Sequence, residues 1–403
     1  MSPEPPLGRP TCRDDFEIGI ICALPTEFDA VAYTFDLFWD EDGDPYGRAK
    51  GDNNTYTTGR IGKHHVVLAL LSGMGTVSAA SLAANMKSSY CRLRLALLVG
   101  VCGGMPFLPD EREVLLGDVV ISKTIVQYDF GRQYPDKFMP KSTIDESFGR
   151  ANKDIRNLTA KFETKLHRHR LKRGIASFLK QLQDKAAEES GDTSYRYPGA
   201  AQDKLFKPSY RHKHHGSETC VCSKCFQDTD PVCSEAASLS CERLRCDSKE
   251  LVTRQRLGRR EADSVDLELH VGRIASGNTV VKSAAFRDAL QREAKVIAIE
   301  MEGAGVWDEI PCIIVKGVCD YADCHKTKAW QNYAAATAAS AAKAILKAYT
   351  PNDKGPGTCN DGSSGNAGED RGTETRQGGA VFSNIVNSSI NALSIGHIDN
   401  WHN

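Results

Sequence analysis

Short apolar runs of strand length alternate with helical segments from residue 16 to about residue 150. The run at 95–101, LALLVGV, is apolar at nearly every position, which is typical of a strand covered on both faces. Pro25 follows the first apolar run and is expected to open a helix. The predicted strands are 17–23, 55–61, 64–71, 95–101 and 117–123, and the predicted helices are 25–35 and 76–90. This alternation predicts an α/β protein with a mixed, mostly parallel twisted sheet.

The alternation stops near residue 151 and resumes near residue 270. The intervening chain opens with a basic helical stretch, 161–185, whose polar face is expected to be solvated, and continues as a polar segment rich in Cys and His. Strands are predicted again at 269–277, 296–300 and 312–318, and helices at 283–294, 302–310 and 330–349. We therefore expect one three-layer domain over 16–350, interrupted by an insertion at about 151–265.

Both ends of the chain are predicted to lie outside this domain. Residues 1–15 are polar and Pro-rich and are expected to be disordered, and residues 351–403 begin as a flexible linker rich in Gly, Asn, Asp and Ser. The last residues, 378–403, alternate apolar and polar positions and carry almost no charge. Such an Asn- and Ser-rich pattern favours cross-β assembly; a disordered tail or an additional edge strand are the alternative interpretations.

The composition is that of a globular protein. Of 403 residues, 40% are hydrophobic and 26% charged, and the net charge of −1 gives no reason to expect nucleic-acid or membrane binding. No apolar run approaches the roughly 20 residues that span a bilayer. The polar N-terminus has no apolar signal region, so we expect a cytoplasmic location in which the 14 cysteines are reduced.

Acidic residues stand at the exits of two predicted buried strands. Glu300 and Glu302 end one apolar run, and Asp320 and Asp323 follow another. In open α/β sheets, ligands bind beyond the carboxyl ends of the strands. Taken alone, Glu302 also fits an acid at the start of a helix, and Asp320 fits a turn residue. Two further strand ends carry glycines, at 97–106 and 274–282, and glycine permits close approach of the backbone to a ligand.

Eight motifs in order give the chain a family resemblance. They are IGIICALPTEFDAV, GRIGKHHVVLALLSGMGTVSAA, LVGVCGG, LGDVVIS, VQYDFG, IASGN, EMEGAG and KGVCDYAD. Together they resemble the nucleoside phosphorylase superfamily, more narrowly its methylthioadenosine/S-adenosylhomocysteine nucleosidases. They most closely resemble the nucleoside-phosphorylase-like domains that fungi fuse to NACHT-type and other immune-receptor-like proteins. The resemblance runs from about residue 16 to residue 349, apart from the insertion.

The resemblance implies cleavage of the N-glycosidic bond of a purine nucleoside or nucleotide, with no cofactor for catalysis. By resemblance, Glu302 binds the ribose and offsets its developing positive charge, and Asp320 is the acid that faces the base. Glu27 falls where nucleosidases orient the attacking water, and Met301 would pack against the sugar. The remaining implied substrate-binding residues are Gly100, Val101, Cys102, Gly103, Ser276, Gly277, Asn278 and Val280.

Two positions favour hydrolysis over phosphorolysis. A phosphate nucleophile needs a cationic partner, preferably Arg, and phosphorylases of this superfamily carry an Arg where this chain has Leu98. Glu27 would repel phosphate and suits water, although an exposed acid in a first helical turn is the alternative interpretation.

Two departures from the family pattern leave a second hypothesis open. Val101 stands where nucleosidases place a hydroxyl, and Val280 stands where they place an aromatic that stacks on the base. Because some immune-associated relatives cleave adenine from nucleotides, the resemblance makes a nucleotide such as ATP a candidate substrate. The two valines favour the alternative function, a catalytically silent nucleoside-binding module. The basic residues considered for phosphate contacts, each also fitting a solvated surface charge, are Arg60, Lys63, Lys123 and Lys282.

The segment HKHHGSETCVCSKC, 212–225, contains a C-x-x-C pair, Cys222 and Cys225, with Cys220 close by. Tetrahedral zinc sites use such Cys and His sets. We therefore predict a structural zinc ion at these three cysteines, with a loop of reduced thiols as the alternative. The cysteines that follow, without an evident second pair at finger spacing, are Cys233, Cys241 and Cys246.

The resemblance also suggests partners. Relatives form dimers or trimers of dimers, so a homo-oligomer is expected. The tail sequence LSIGHIDN weakly resembles the short amyloid-forming signalling motifs of fungal death pathways and animal necroptosis proteins. Such a motif would recruit the domain, as an immune or cell-death effector, to a receptor that carries a matching motif.

Overall fold

The computed structural model describes residues 8–41, 43–141, 148–227, 230–259 and 267–351. The predicted assembly motif at 378–403, and the linker from residue 352 onward, lie outside the described residues. The strands are β1 (Ile18–Cys22), β2 (Leu37–Phe38), β3 (Tyr56–Ile61), β4 (His64–Leu70), β5 (Leu95–Gly104), β6 (Val119–Gln127), β7 (Gly131–Gln133), β8 (Phe138–Pro140), β9 (Leu269–Ser276), β10 (Val296–Glu300) and β11 (Cys312–Asp320). The helices are α1 (Pro25–Ala32), α2 (Thr76–Ser89), α3 (Lys153–Glu163), α4 (Lys165–Ser190), α5 (Cys241–Leu244), α6 (Gln255–Arg259), α7 (Ala284–Ala294), α8 (Gly303–Val306) and α9 (Gln331–Ala348).

Nine strands form the main sheet, in the order β10-β9-β6-β11-β5-β1-β4-β3-β2. The central pairs β1–β4, β1–β5 and β5–β11 are parallel, whereas β3 forms an antiparallel hairpin with β4. The core strands β1 and β11 are buried at every position, as expected for strands covered by helices on both faces. The prediction of an α/β domain around a mixed sheet is confirmed.

Five of these strands form a closed ring, because β10 pairs with β5 as well as with β9. Gly103 of β5 lies opposite Ile299 of β10 on one side and opposite Asp320 of β11 on the other. The ring therefore brings the end of β10, with its glutamates, next to the end of β11, with its aspartate. The ends of β10 and β11 are about 20 residues apart in sequence. They lie close together in space because only Gly103 of β5 stands between them.

Glycine allows β5 to continue past residue 101, where the sequence predicts that it ends. A Cβ atom on Gly103 would lie 3.0 Å from Asp320 Oδ1, and one on Gly104 would lie 2.6 Å from Val318 Cγ1. Glycine usually weakens a strand, but here any side chain would collide with the neighbouring strand. The last residues of β5 thus pack directly against the end of β11.

Helix α4 lies within the predicted insertion but is part of the main core. It begins after the N-cap Thr164, whose side chain accepts from the His167 amide, and it ends at Gly191, which has a left-handed φ of 67°. One face is apolar and buried, through Leu171, Ile175, Leu179 and Leu182, and it packs against α9. The departure from the α/β pattern therefore begins after α4 rather than near residue 151.

The chain before β1 also differs from the expectation of disorder over 1–15. Within the described residues, Arg9 donates to the Trp39 carbonyl at 2.7 Å, and Tyr46 donates to the Pro10 carbonyl at 3.2 Å. These contacts attach residues 8–15 to the domain. Among the described residues, no helix combines the length and the apolar character needed to cross a membrane.

Candidate active site

A cleft of about 460 Å³ opens where β5, β10 and β11 end. The three acids predicted to be catalytic, Glu27, Glu302 and Asp320, all line it. The predicted substrate-binding residues that line it are Val101, Cys102, Gly103, Val280 and Met301. The structure therefore brings together residues from five separate segments of the sequence. Burial raises the pKa of the Cys102 thiol, so this residue lines the cleft as a neutral group.

Glu27 lies in the first turn of α1 and is 2% exposed. Its Oε2 accepts from the amides of Ala23 and Leu24 at 2.9 and 3.0 Å, and its Oε1 accepts from the Val101 amide at 2.8 Å. Burial raises the pKa of Glu27, although nearby Lys316 and these backbone donors lower it. Glu27 is thus a buried carboxyl group fixed against the glycine-bearing end of β5, not an exposed acid of a helix.

Gly100 does not line the cleft but determines where Glu27 can lie. A Cβ atom at position 100 would lie 2.4 Å from Glu27 Oε1, well inside van der Waals contact. Only glycine lets β5 pass this close to the carboxylate. Leu98, two residues earlier, is fully buried in the core, so this position supplies no cation to the cleft.

Glu300 and Glu302 have different roles, although they are two residues apart. The Glu300 carboxylate accepts from the amides of Glu302 and Gly303 at 2.9 to 3.0 Å and so caps α8. The side chain of Glu302 makes no such capping bond. Its Oε1 instead accepts from the Gly75 amide at 3.3 Å. Glu302 is therefore available to the cleft because its neighbour satisfies the helix start.

Lys316 lies in the middle of β11 and is 1% exposed. Its Nζ is 3.4 Å from Glu302 Oε2 and 4.0 Å from Glu300 Oε2. Burial lowers the pKa of Lys316, but attraction by Glu302, Glu27 and Glu300 outweighs it and holds the pKa above its ordinary value. The buried ammonium group of Lys316 thus balances the charge of the neighbouring acids. The lysine interrupts the apolar run CIIVKGV, and that interruption is the sequence signal for this residue.

Asp320 is the last residue of β11 and is 8% exposed. Its Oδ1 accepts from the Ala322 amide at 2.8 Å, the local turn bond expected of an aspartate. Its Oδ2 lies 3.1 Å from Nζ of Lys326. One oxygen of Asp320 thus makes the turn hydrogen bond, and the other pairs with Lys326 in the lining of the cleft.

The IASGN motif lies behind the cleft rather than in its lining. Ser276 is fully buried, and its Oγ accepts from the Ala304 amide at 2.9 Å. Asn278 Oδ1 accepts from the amide of Thr76 at 2.9 Å, which ties the loop after β9 to the start of α2. A Cβ atom on Gly277 would lie 2.8 Å from the Tyr128 ring. These contacts fix the positions of the segments around the cleft.

Three lysines line the mouth of the cleft: Lys282, Lys326 and Lys328. Of the four basic residues considered for phosphate contacts, Lys282 is therefore in place. Lys123 pairs instead with Glu163 at 2.9 Å, and Lys63 lines a separate pocket beside α9. Arg60 lies on β3 and does not line the cleft.

The Cys/His-rich segment, with one histidine from the loop after β11, forms two groups of ligand atoms; within each group the atoms lie within 4.8 Å of one another. The first group contains the predicted Cys220 and Cys222, but Cys225 does not join them. The Cys225 thiol faces the Val221 carbonyl at 4.0 Å, so the C-x-x-C spacing does not give the pair that meets in space. The members of the first group are His214, Cys220, Cys222 and Cys233, and those of the second are His212, Cys241, Cys246 and His325.

The sequence model of the phosphorylase superfamily matches residues 17–201. A protein from Hyaloscypha variabilis, named a nucleotide-binding leucine-rich repeat (NLR)-like protein, is 30% identical over 352 residues, or 86% of this chain and 30% of that protein. The 5′-methylthioadenosine/S-adenosylhomocysteine nucleosidase of Mycobacterium bovis is 31% identical over 123 residues, 30% of this chain and 42% of the nucleosidase. The predicted resemblance to the superfamily, its nucleosidases and fungal receptor-like proteins is confirmed.

The chain spans less than half the length of either relative, 30% of the first and 42% of the second. Among solved structures, the nucleosidase of Neisseria meningitidis in complex with methylthio-immucillin-A is 16% identical, with a TM-score of 0.46 over 83% of this chain and 99% of that one. Futalosine hydrolase of Helicobacter pylori gives the same identity, TM-score and coverage. At these TM-scores the superpositions add nothing to what the motifs and the site establish.

Proposed function

We propose that this chain cleaves the N-glycosidic bond of a purine nucleoside by hydrolysis. The observation that carries the proposal is the convergence of Glu27, Glu302 and Asp320 on one cleft. Each acid is less than a tenth exposed, and burying ionisable groups is costly. Buried acids that line a cleft are typical of functional sites, which favours catalysis over the alternative of a silent nucleoside-binding module.

The reaction would need charge stabilisation rather than a covalent intermediate. As the base departs, the ribose gains positive charge, which the Glu302 carboxylate would offset while it binds the hydroxyl groups. Asp320 would hydrogen-bond or protonate the leaving purine, and Glu27 would orient the attacking water. Met301 lines the same cleft and would pack against the sugar.

Hydrolysis is favoured over phosphorolysis by the charge around the nucleophile. Phosphate binding needs cations, whereas position 98 is a buried leucine. Lys316 is the buried cation nearby, but its ammonium group already balances Glu302 and Glu300. A phosphate dianion next to Glu27 would be repelled, whereas a neutral water would donate a hydrogen bond to the carboxylate.

A nucleotide is the second candidate substrate, and the lysines at the cleft mouth favour it. Lys282, Lys326 and Lys328 place three ammonium groups along the lining. Lys326 pairs with Asp320, which leaves Lys282 and Lys328 as the candidate partners of a 5′-phosphate chain. Phosphates bind well to such positive groups.

The cellular role is part of the same proposal. The 30% identical relative is an NLR-like protein, so we infer that this domain serves as the effector of a receptor-like system in the cytoplasm.

Met74 and Val280 line the cleft mouth with exposures of 56% and 49%. The expected homo-oligomer would cover these two apolar side chains.

The experiment that tests the function is a product assay on the purified chain. Adenosine, methylthioadenosine, inosine and ATP are each incubated with the protein, and the free base is quantified by liquid chromatography. We expect release of adenine from at least one of the adenine substrates. Binding of a nucleoside without release of any base would instead establish the silent binding module.

A further inference from the structure

The Cys/His-rich segment and the loop after β11 together place eight potential metal ligands in two compact groups. We call His214, Cys220, Cys222 and Cys233 the first cluster, and His212, Cys241, Cys246 and His325 the second cluster. Both sets combine thiol sulfur with imidazole nitrogen, the donor types that select Zn²⁺ in tetrahedral sites. None of the eight ligands lines the cleft that holds the three acids, so a structural purpose is considered first.

The distances within the second cluster match tetrahedral zinc. Zinc bonds of about 2.0–2.1 Å to nitrogen and about 2.3 Å to sulfur place two nitrogens about 3.3–3.4 Å apart, and a nitrogen and a sulfur about 3.5–3.6 Å apart. The Nδ1 atoms of His212 and His325 are 3.3 Å apart. Cys241 Sγ lies 3.5 Å from His325 Nδ1 and 3.7 Å from His212 Nδ1, and Cys246 Sγ lies 3.8 Å from His212 Nδ1.

The hydrogen bonds of the two histidines make these Nδ1 atoms electron-pair donors. His212 Nε2 lies 2.9 Å from the Leu239 carbonyl, and His325 Nε2 lies 3.0 Å from the Tyr210 carbonyl. A carbonyl only accepts, so each Nε2 carries the proton and a neutral ring leaves Nδ1 with its lone pair. Two such lone pairs at close range repel each other unless a cation lies between them. Backbone carbonyls hold the rings of zinc-binding histidines in the same way.

The first cluster has the same chemistry within a shorter stretch of sequence. His214 Nδ1 lies 3.2 Å from Cys222 Sγ and 3.9 Å from Cys233 Sγ. The sulfurs of Cys220 and Cys222 are 3.1 Å apart, far longer than the roughly 2.05 Å of a disulfide bond. In addition, the backbone amide of His214 donates to Cys222 Sγ at 3.4 Å, a contact that stabilises a thiolate.

We propose that the two clusters each bind one Zn²⁺ and that the second zinc ion staples the Cys/His-rich segment to the loop after β11. Three ligands of the second cluster come from that segment, and His325 comes from the loop, five residues after Asp320. The His325 ring is also stacked on Phe206, with centroids 4.1 Å apart. Its backbone amide donates to Asp323 at 2.9 Å, so the ligand is held in place from several sides.

Hydrogen bonds attach the segment to the main domain, for example from the Leu116 amide to Asp203 and from the Trp330 ring to the Gln202 carbonyl, but the segment has a small apolar core of its own. Between α4 and α6, the described helices are single turns such as α5, and few large apolar side chains are buried. Small units that lack a sufficient core are commonly stabilised by a structural metal. A zinc ion at the second cluster would supplement that small core with bonds that cross from the segment to the main domain.

The test is the metal content of the full-length chain, purified under reducing conditions and analysed by elemental mass spectrometry. We expect two zinc ions per chain in the wild type. Cys220→Ser and Cys246→Ser should each retain one. Cys225→Ser is the matched control, because this buried cysteine lies beside the first cluster but outside it, and it should retain two.

Each result decides one part of the proposal. Zinc content that Cys246→Ser leaves unchanged would overturn the second site, and content that Cys220→Ser leaves unchanged would overturn the first. Wild-type protein without zinc would overturn both. If a variant does not fold, Co²⁺ substitution of the wild type decides instead, because tetrahedral thiolate sites give strong visible absorption and other sites do not. These readouts do not depend on glycosidase activity, so either proposal can fail without the other.

Discussion

Nζ of Lys316 lies 3.4 Å from Oε2 of Glu302, and both side chains are buried, Glu302 in the lining of the cleft and Lys316 outside it. Lys316 lies in the middle of β11 and Glu302 follows the end of β10, and the closed ring of strands brings them together. The ammonium group of Lys316 offsets the cost of burying an acidic side chain here. A carboxylate group beside the sugar is what a reaction that develops positive charge on the sugar requires.

Replacement of Lys316 by Met is therefore expected to destabilise the fold and to abolish base release. Removal of one partner from a buried ion pair costs about 3–5 kcal/mol, because the remaining charge is uncompensated. Urea denaturation measures the loss of stability, and the product assay measures the loss of activity.

The double variant Lys316→Met/Glu302→Gln separates the two effects. It removes both charges, so it should regain part of the stability that Lys316→Met loses. It should regain none of the lost activity. Equal stability of the single variant and the wild type would contradict the role of Lys316 as the balancing charge.

The pH dependence of base release should report Glu27. Burial raises the pKa of this carboxyl above its ordinary value of 4.5, and orientation of water needs the ionised form. We expect kcat/KM to fall as the pH is lowered through the raised pKa, with a midpoint above 4.5. In Glu27→Gln the residual activity should lack this acid limb, whereas a wild-type midpoint at or below the ordinary value would contradict the assignment.

Lowering the pH through the pKa of Glu27 should reduce activity but not stability. Measurement of stability therefore provides the control. The folded protein holds this proton more tightly than the unfolded chain, because the folded-state pKa is raised. The stability from protonation is therefore present below the ordinary pKa and is lost as the pH rises through the raised one. Loss of activity on the acid side is thus not unfolding caused by Glu27, and tryptophan fluorescence over the same pH range should remain unchanged.

Substitution of Gly100 by Ala should displace Glu27. The new Cβ would lie 2.4 Å from Glu27 Oε1, and relief of such a clash in a packed core typically costs about 1–3 kcal/mol. We expect base release to fall at least about tenfold, since catalytic groups tolerate little displacement. Gly149→Ala is the matched control, because nothing lies within 4 Å of its Cβ position; equal activities of the two variants would contradict the proposed contact.

Asp320→Asn should lose most of the activity with little loss of stability. The amide oxygen can still accept from Ala322, and Lys326, whose side chain is 24% exposed, can be solvated when its partner loses its charge. Removal of a general acid typically lowers the rate about 100-fold to 10,000-fold. The exposed Asp308 provides the control variant Asp308→Asn, which should behave as the wild type; full activity of Asp320→Asn would remove Asp320 from the chemistry.

The strands of this fold could be predicted because burial on both faces leaves an unmistakable apolar run, as in β5 and β11. The glycines were harder to interpret. The sequence predicts a helix over 302–310, but α8 covers only Gly303–Val306. A Cβ atom on Gly305 would lie 2.0 Å from the Thr76 carbonyl oxygen, so this glycine serves close packing against α2, which no local pattern reveals.

The candidate site was predictable in part for a similar reason. Motifs order residues along the chain, and they identified Glu27, Glu302 and Asp320. Lys316 was missed, although a lysine inside a buried apolar run requires an acid as its partner. His325 was also missed, since it lies 84 residues from Cys241 and only the folded chain brings the two together.

Base release in the absence of phosphate tests the central claim most directly. The purified wild type is incubated with its best adenine substrate in buffer free of phosphate, and in the same buffer with phosphate added, and the sugar product is identified by mass spectrometry. We expect the rate of base release to be the same in both buffers. The sugar product should be free ribose, or its 5′-substituted form, in both. Release that requires phosphate and yields a sugar 1-phosphate would contradict hydrolysis and remove Glu27 from its water-orienting role.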